Sequence, residues 1–439
     1  MPLISLPEYG KLHIGELNPA RPSVTASQAV QLRGLKSIYG FDIFKFSNEA
    51  TLSAQQYVGT VQIGTLTIEI LPKIEGICET TMRRNLVQML SVALNLDISE
   101  GDVARITTQR YGILEILIQL FCAQLFIQIH RGLIRRYEGR EENIFVLRGK
   151  LDIVEQVRRN AANPERLYCR FDEFQEDNPL NQVLKAAISL LLKVSRELIN
   201  QRQLSELMLI FDGTSNVPVQ SLPWSKVAFD RLNERYKPCF KLAKLFLRMT
   251  PPDIGAGGIQ SFSLFFNMNS LFEEYVGRII ARSCRSDNIQ IMLQRPQHYL
   301  ALDESSQRNA FAMKPDVVGK MVGKMVGKKN TGVAWIVDTK WKQLSEEKAK
   351  EGIAQSDFYQ MYAYANCYRC PEVILLYPHH AGLGVASGTR ASYMLNHSIH
   401  NPECQMNGRI RVSTLDLSNL KTVPGQLRTI IYNEQKEIA

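Results

Sequence analysis

The chain has 439 residues, more than one hydrophobic core ordinarily organises, so two or three domains are expected. Hydrophobic residues make up 45% and charged residues 22%, which excludes disordered and fibrous classes and leaves enough apolar surface for real cores. The formal charge of +9, from 52 Lys and Arg against 43 Asp and Glu, admits a polyanionic partner without identifying one.

Residues Met1–Glu8 lack a basic segment followed by an apolar run, so no secretory signal is expected and the cytoplasm is the expected compartment. From Leu6 to about Gly76 the text is strand-like. Val58–Gly64 leads into Thr65–Lys73 across a glycine, the pattern of a hairpin. From about Thr80 to Leu247 the apolar period becomes helical, clearest in Leu114–Ile134 and Leu180–Leu192. Tyr111–His130 is apolar enough to suggest a membrane span. However, Glu115, Gln119, Gln124 and Gln128 would be costly in lipid, so it reads as a buried helix of a protein without a membrane segment. The Pro/Gly cluster at Thr250–Gly258 breaks helix and sheet alike and marks a boundary. Beyond it the order is helix (Ser270–Cys284), two strands flanking a Gly/Lys stretch, helix (Asp357–Ala365) and strand (Val373–Tyr377). Between those two strands Gly-Lys-Met-Val recurs in tandem over 318–329. This is either a lengthened hairpin turn or a basic loop approaching phosphates.

The chemistry-bearing pattern lies at the end of the apolar strand Val333–Val337. Side chains alternate along a strand, so Asp338 and Lys340 project from the same face as Ala334 and Ile336. Asp316, after Pro315, adds a second carboxylate if the two strands pair as an antiparallel hairpin, and the Thr339 carbonyl is a third oxygen. Two aspartates and a carbonyl suit a hard cation such as Mg²⁺, whose task in phosphodiester hydrolysis is to neutralise the phosphate and activate water. Lys340 then serves as a fixed cation where negative charge grows. Glu346–Lys348 matches the acid-x-Lys triplet too, but it lies in a charged run without an apolar strand before it and reads as a solvated helix start.

Two flanking helices add polar groups. In Asn269–Val276, Ser270 is the expected N-cap, and Phe272, Tyr275, Val276 and Ile279 form the apolar stripe. Glu273 borders that stripe and is either a third acid at the metal site or a surface carboxylate. Glu274 and Arg278 form an i,i+4 pair. Gln360 and Tyr364, also i,i+4, share a helix face and could bind phosphate or bases; the same aromatic-rich helix is equally readable as core.

These residues resemble the PD-(D/E)xK nuclease superfamily in its branch with a Gln-x-x-x-Tyr helix, and the whole chain resembles the McrC family. The similarity extends to Ile68–Ile74, Arg148–Ile153, Asp172–Phe174, Asn181–Lys185 and Asn269–Glu273. The resemblance implies a Mg²⁺-dependent DNA endonuclease subunit of a methylation-dependent restriction system. Its implied catalytic residues are Asp316, Asp338, Lys340 and Glu273, its metal ligands Asp316, Asp338 and Thr339, and its nucleic-acid contacts Gln360 and Tyr364. It also implies a partner, an McrB-like AAA+ GTPase hexamer that recognises methylated DNA and whose GTP hydrolysis this chain stimulates. No G-x-x-x-x-G-K-[ST] nucleotide loop is present in the chain itself.

The expected architecture is α+β. It comprises a β-rich N-terminal region (1–105) contacting the partner, a mainly helical middle (106–255) and a C-terminal α/β nuclease domain (256–439). Two other functions fit the same residues, a non-catalytic GTPase activator that clamps DNA and an independent DNA-repair nuclease. The eight cysteines lack the spacing of a disulfide framework, and Cys367-x-x-Cys370 alone does not make a zinc site. Asp172, Glu173, Glu176 and Asp177 read as acids at a helix N-terminus. Arg131, Arg135, Arg136 and Arg140 are a basic run that either ends a solvated helix or meets DNA or the partner.

Overall fold

A computed structural model describes residues 3–16, 21–48, 50–96, 101, 111–163, 165–248, 261–284, 288–294, 298–325, 328–330, 332–347, 349–384, 386–395 and 408–432. The architecture is α+β. The chain divides into two compact units, 1–113 with 265–439 and 114–264. The N-terminal and C-terminal regions, separate in the sequence reading, therefore lie in one unit. The Pro/Gly cluster at 250–258 falls outside the described residues.

In the first unit the expected hairpin is present. Strands Tyr57–Ile63 and Leu66–Leu71 pair antiparallel around Gly64, and Leu3–Pro7 adds a parallel strand beside Leu66–Leu71. A second small sheet holds Ser23–Val24, Lys11–Ile14, Thr51–Ala54 and Phe44–Asn48. Between its strands lies a helix that the strand-like reading overlooks, Ala26–Tyr39. Thr25 and Gln28 close its start as a capping box, and Gly40 ends it in a left-handed turn. Leu32 and Leu35 bury that helix against Leu12, Leu52, Val61 and Ile68.

The C-terminal part of the same unit is built on a six-stranded sheet, in the order Ile289–Leu293, Val317–Met321, Val333–Thr339, Glu372–Pro378, Arg409–Leu415, Gly388–Met394. The first three strands pair antiparallel and the next two join them in parallel. Helix Gln355–Cys367 covers one face, where Ile336, Val373, Leu375 and Val412 cluster with Met361 and Tyr364. From the tandem repeat onward, Gly323–Met325 pairs antiparallel with Lys328–Asn330 as a short ribbon. The first glycine of the repeat has a packing reason. A Cβ on Gly319 would stand 2.3 Å from Cε2 of Trp335, directly across the hairpin.

The second unit buries the apolar helix Ile113–Ile129 from Leu114 onward, together with Pro179–Val194, Leu198–Ile210 and Lys237–Arg248. Glu115 is tolerated inside because Ser195 Oγ, Arg196 N and Asn200 Nδ2 donate to it at 2.8, 2.6 and 2.7 Å. Among the described residues no helix is long and apolar enough to cross a membrane. The middle region is not only helical, since Arg136–Ile144, Leu167–Gln175 and Lys150–Leu151 form a three-stranded sheet. This corrects two readings. Asp172 and Glu173 lie on a strand, where Glu173 pairs with Arg140 and Arg148, and the following helix is capped by Asn178. Of the basic run only Arg131 lies in the turn that follows the helix; Arg136 and Arg140 lie on the strand Arg136–Ile144, and Arg135 and Arg136 pair with Glu176 and Asp230. Both errors come from reading short charge runs, which by themselves do not distinguish a strand from a helix end.

Candidate functional site

The central hairpin sets the site. Val317 stands opposite Val337, so Asp316 and Asp338 meet at the same end of the sheet. The Asp316 carboxylate is fixed by two donors, Thr339 N and Thr339 Oγ1, both 2.7 Å from Oδ2. Asp338 is 1% exposed. Its Oδ2 meets the Lys340 ammonium at 2.7 Å. Burial, and then the charge of Asp316, push its carboxyl up to about 7 despite Lys340.

Lys340 is held from two sides, by Asp338 and by Gln360 Oε1, to which Nζ donates at 3.1 Å. Burial opposes its charge, yet the facing Asp338 carboxylate, with Asp316 and Asp357 behind it, lifts the ammonium above its ordinary value. Gln360 Nε2 in turn donates to the Tyr364 hydroxyl at 2.8 Å, and that hydroxyl donates to the carbonyl of Lys314 at 3.0 Å. Tyr364 is 2% exposed, and burial with the nearby Asp338 charge raises its pKa, so it stays protonated. The shared helix face expected for Gln360 and Tyr364 is present. However, the buried Tyr364 ring stands as a support between Gln360 and the segment leading into Asp316.

Glu273 comes to the site from helix Met268–Ser283, whose start is capped by Asn267 and not by Ser270. The Asn267 side chain accepts from the amides of Asn269 and Ser270, so Ser270 already lies inside the first turn. Phe272, Tyr275 and Val276 are buried as the stripe requires, while Ile279 is partly exposed and Ile280 takes the inner position. Glu274 pairs with Arg278 at 3.2 Å as expected. Glu273 Oε1 accepts from Gln294 Nε2 at 2.7 Å. Burial, followed by the charge of Asp316 and a side-chain hydrogen bond with it, pushes the Glu273 carboxyl up to about 7. The structure thus brings together Asp316, Asp338, Thr339, Lys340, Gln360 and Glu273, with Tyr364 beneath.

Among the described residues no group of three or more His, Cys, Asp and Glu side chains is arranged to hold a metal ion. A Mg²⁺ site needs fewer, because this ion commonly takes one or two carboxylates and completes its shell with water and substrate phosphate. Two neighbouring carboxylates, with Asp338 buried and pushed up by burial and by the charge of Asp316, are the feature that such a cation would relieve. Elsewhere, Glu346 lies in a turn and pairs with Arg390 at 2.9 Å, and does not rival Asp338. Cys370 Sγ donates to the Glu372 carbonyl at 3.0 Å, and His380 Nε2 is engaged with the Leu344 carbonyl at 2.8 Å. Sequence reasoning missed Gln294 and Trp341. Neither carries a local signal, because each gains its place through a partner from a distant part of the chain.

The family model described as "McrBC 5-methylcytosine restriction system component" matches residues 52–378. Among solved structures the chain is similar to one in the refined half-complex from a tetradecameric assembly of Thermococcus gammatolerans McrB AAA+ hexamers with bound McrC. The identity is 20% and the TM-score 0.70, with 98% of this chain and 100% of that chain covered. It is also similar to a chain of the cryo-EM structure of the Thermococcus gammatolerans McrBC complex, at 24% identity and a TM-score of 0.51, covering 65% of this chain and 89% of that one. At such identities the likeness concerns the fold. No curated protein matches.

Proposed function

The chain belongs to the family of McrBC 5-methylcytosine restriction system components, and from that premise we propose that it is the DNA-cutting subunit of such a system, a metal-dependent endodeoxyribonuclease. The observation that carries this reading is the convergence of Asp316, Asp338 and the Lys340 ammonium at one end of a sheet, with Asp338 buried and Lys340 2.7 Å from it. Asp316 and Asp338, with the Thr339 carbonyl, would hold Mg²⁺. When bound, the ion neutralises charge on the reacting phosphate and lowers the pKa of water. Lys340, oriented by Asp338 and Gln360, presents its ammonium to the oxygens on which negative charge develops. Glu273, pushed up to about 7, holds or releases a proton near neutral pH at the edge of the same site. Tyr364 keeps Gln360 and the Lys314 carbonyl in place, and Gln360 is the group of this pair able to reach nucleic acid.

For partnership, we propose that the chain works with an AAA+ GTPase hexamer, as McrC is bound to McrB hexamers in the similar assembly. Region 1–105 is the surface that the resemblance assigns to this contact. A specific observation favours the middle region instead. Phe145, Val146 and Leu147 and, on the short helix Ile153–Asn160, Ile153, Val154 and Val157 are all exposed, an amount of bare apolar surface that suits burial by a partner. Measuring GTP turnover and cleavage of methylated DNA separately, with the hexamer present and absent, tests the whole reading. Expected are cleavage that needs the hexamer and Mg²⁺, and faster GTP turnover. Stimulated GTP turnover without any cleavage would make the chain a non-catalytic activator, and cleavage without the hexamer an independent nuclease.

A further inference from the structure

A buried carboxylate joins the first strand of the chain to the cutting site. Glu8 follows the strand Leu3–Pro7, with its amide donating to the Leu71 carbonyl at 3.0 Å, and it is 2% exposed. Its Oε2 accepts from Lys73 N at 3.1 Å and from the Trp341 indole Nε1 at 2.9 Å, and its Oε1 lies 3.1 Å from the same indole nitrogen. Trp341 directly follows Lys340, whose amide is tied to the Leu376 carbonyl at 2.9 Å. The indole stands edge-on to Phe272, with ring centroids 5.3 Å apart. Phe272 precedes Glu273. One aromatic ring therefore links two of the three segments that bring charged groups to the site.

Burying a carboxylate is expensive, and a neutral or apolar side chain would fill the space at lower cost. Burial does push Glu8 up to about 7, against the pull of Lys73 N and Trp341. What Glu8 supplies that an apolar residue would not is orientation, since its acceptors hold the indole in one plane. The remaining links between these segments, Lys73 Nζ to Gln343 and Gln343 to Glu75, are exposed and fix little.

We propose that Glu8 is a positioning residue for the Asp338–Lys340 site: it fixes the Trp341 indole, and the indole fixes the strand end carrying Lys340 against the helix carrying Glu273. This rests on the cleavage function proposed above. A movement of the first strand is thereby felt at Lys340 through the Glu8 carboxylate and one ring.

The test uses the full chain with its hexamer partner and four variants, Glu8→Ala, Glu8→Gln, Trp341→Phe and the double Glu8→Ala/Trp341→Phe. Glutamine with its oxygen where Oε2 stands keeps the two contacts of that oxygen and gives up the longer one that Oε1 makes with the indole, and phenylalanine keeps the ring but loses the donor. For Glu8→Ala and Trp341→Phe we expect kcat for DNA cleavage to fall about 10-fold with KM unchanged, the double variant to be no worse than either single one, and Glu8→Gln to recover most of the rate. Backbone amide exchange over 338–343 should quicken in Glu8→Ala and Trp341→Phe and return in Glu8→Gln. Parent-level kcat in Glu8→Ala, multiplying defects in the double variant, or a Glu8→Gln variant as poor as Glu8→Ala would overturn the proposal. If the parent chain cuts no DNA, the cleavage reading falls on its own, and the exchange pattern decides the positioning role: unchanged exchange in both single variants refutes it. Should Glu8→Ala fail to fold, Trp341→Phe carries the same comparison.

Discussion

Replacing Gly319 by alanine adds one methyl group at the most crowded point of the central hairpin. The new Cβ would stand 2.3, 2.6 and 2.7 Å from Cε2, Cζ2 and Cδ2 of Trp335, where ordinary contact begins at 3.4 Å. Trp335 is buried, so the indole or the strand must move by about an ångström. Overpacking of this kind costs about 1–3 kcal/mol, which lowers the urea midpoint of the unit. The displacement also reaches the site, because Asp316 precedes Gly319 and Asp338 follows Trp335 on the two paired strands. A shift of about 1 Å at reacting groups is worth about 10²-fold in rate. Gly319→Ala is therefore expected to be both less stable and about 100-fold slower in DNA cleavage, with stability partly restored by Trp335→Leu in the same chain. A Gly319→Ala protein with parental denaturation and parental cleavage would refute the packing argument.

Further outcomes follow from other contacts. Arg83→Met leaves Glu69, fully buried and otherwise bonded to the Ile113 amide at 2.6 Å, without its 2.7 Å ion partner, and is expected to destabilise the chain by about 3–5 kcal/mol in denaturant titration. Asp338 and Glu273 are pushed up to about 7, so the native state holds more protons than the unfolded chain between about pH 4 and 7, and stability from these groups falls as pH rises through that window. Metal-free Asp338→Asn should then melt higher than the parent at pH 8, with a smaller gain at pH 4; equal melting at both would contradict the raised carboxyl. Tyr364→Phe removes two hydrogen bonds, to the Lys314 carbonyl and from Gln360, and should slow cleavage by about 10-fold, while leaving GTP turnover unchanged.

The core of the site was legible because strand alternation is a local rule. Asp338 and Lys340 share a face by their spacing, and an antiparallel hairpin brings Asp316 across from Asp338 whatever the length of the turn, which is why the Gly-Lys-Met-Val repeat did not disturb the pairing. The Glu274–Arg278 pair and the hairpin around Gly64 were readable for the same reason. Elements whose identity depends on distant partners were not. Arg409–Leu415 becomes an inner parallel strand only by lying beside Glu372–Pro378, and the middle sheet escaped because Arg136–Ile144 finds its partner in Leu167–Gln175, well separated along the chain. Helix Ala26–Tyr39 did carry a local signal in Thr25 and Gln28, which the neighbouring strand patterns outweighed. Glu8 and Trp341 have no sequence signature at all, because the indole that Glu8 holds is brought to it by tertiary packing alone.

The most direct measurement is cleavage of methylated DNA by the chain and its hexamer partner in Mg²⁺, with the parent and with Asp338→Ala compared for DNA breaks and for GTP turnover in the same reaction. Loss of both the carboxylate and the anchor of Lys340 should abolish breaks while GTP is still consumed at the parental rate. If Asp338→Ala cuts DNA as fast as the parent, the chemistry lies elsewhere in the chain and the account given for this end of the sheet is wrong.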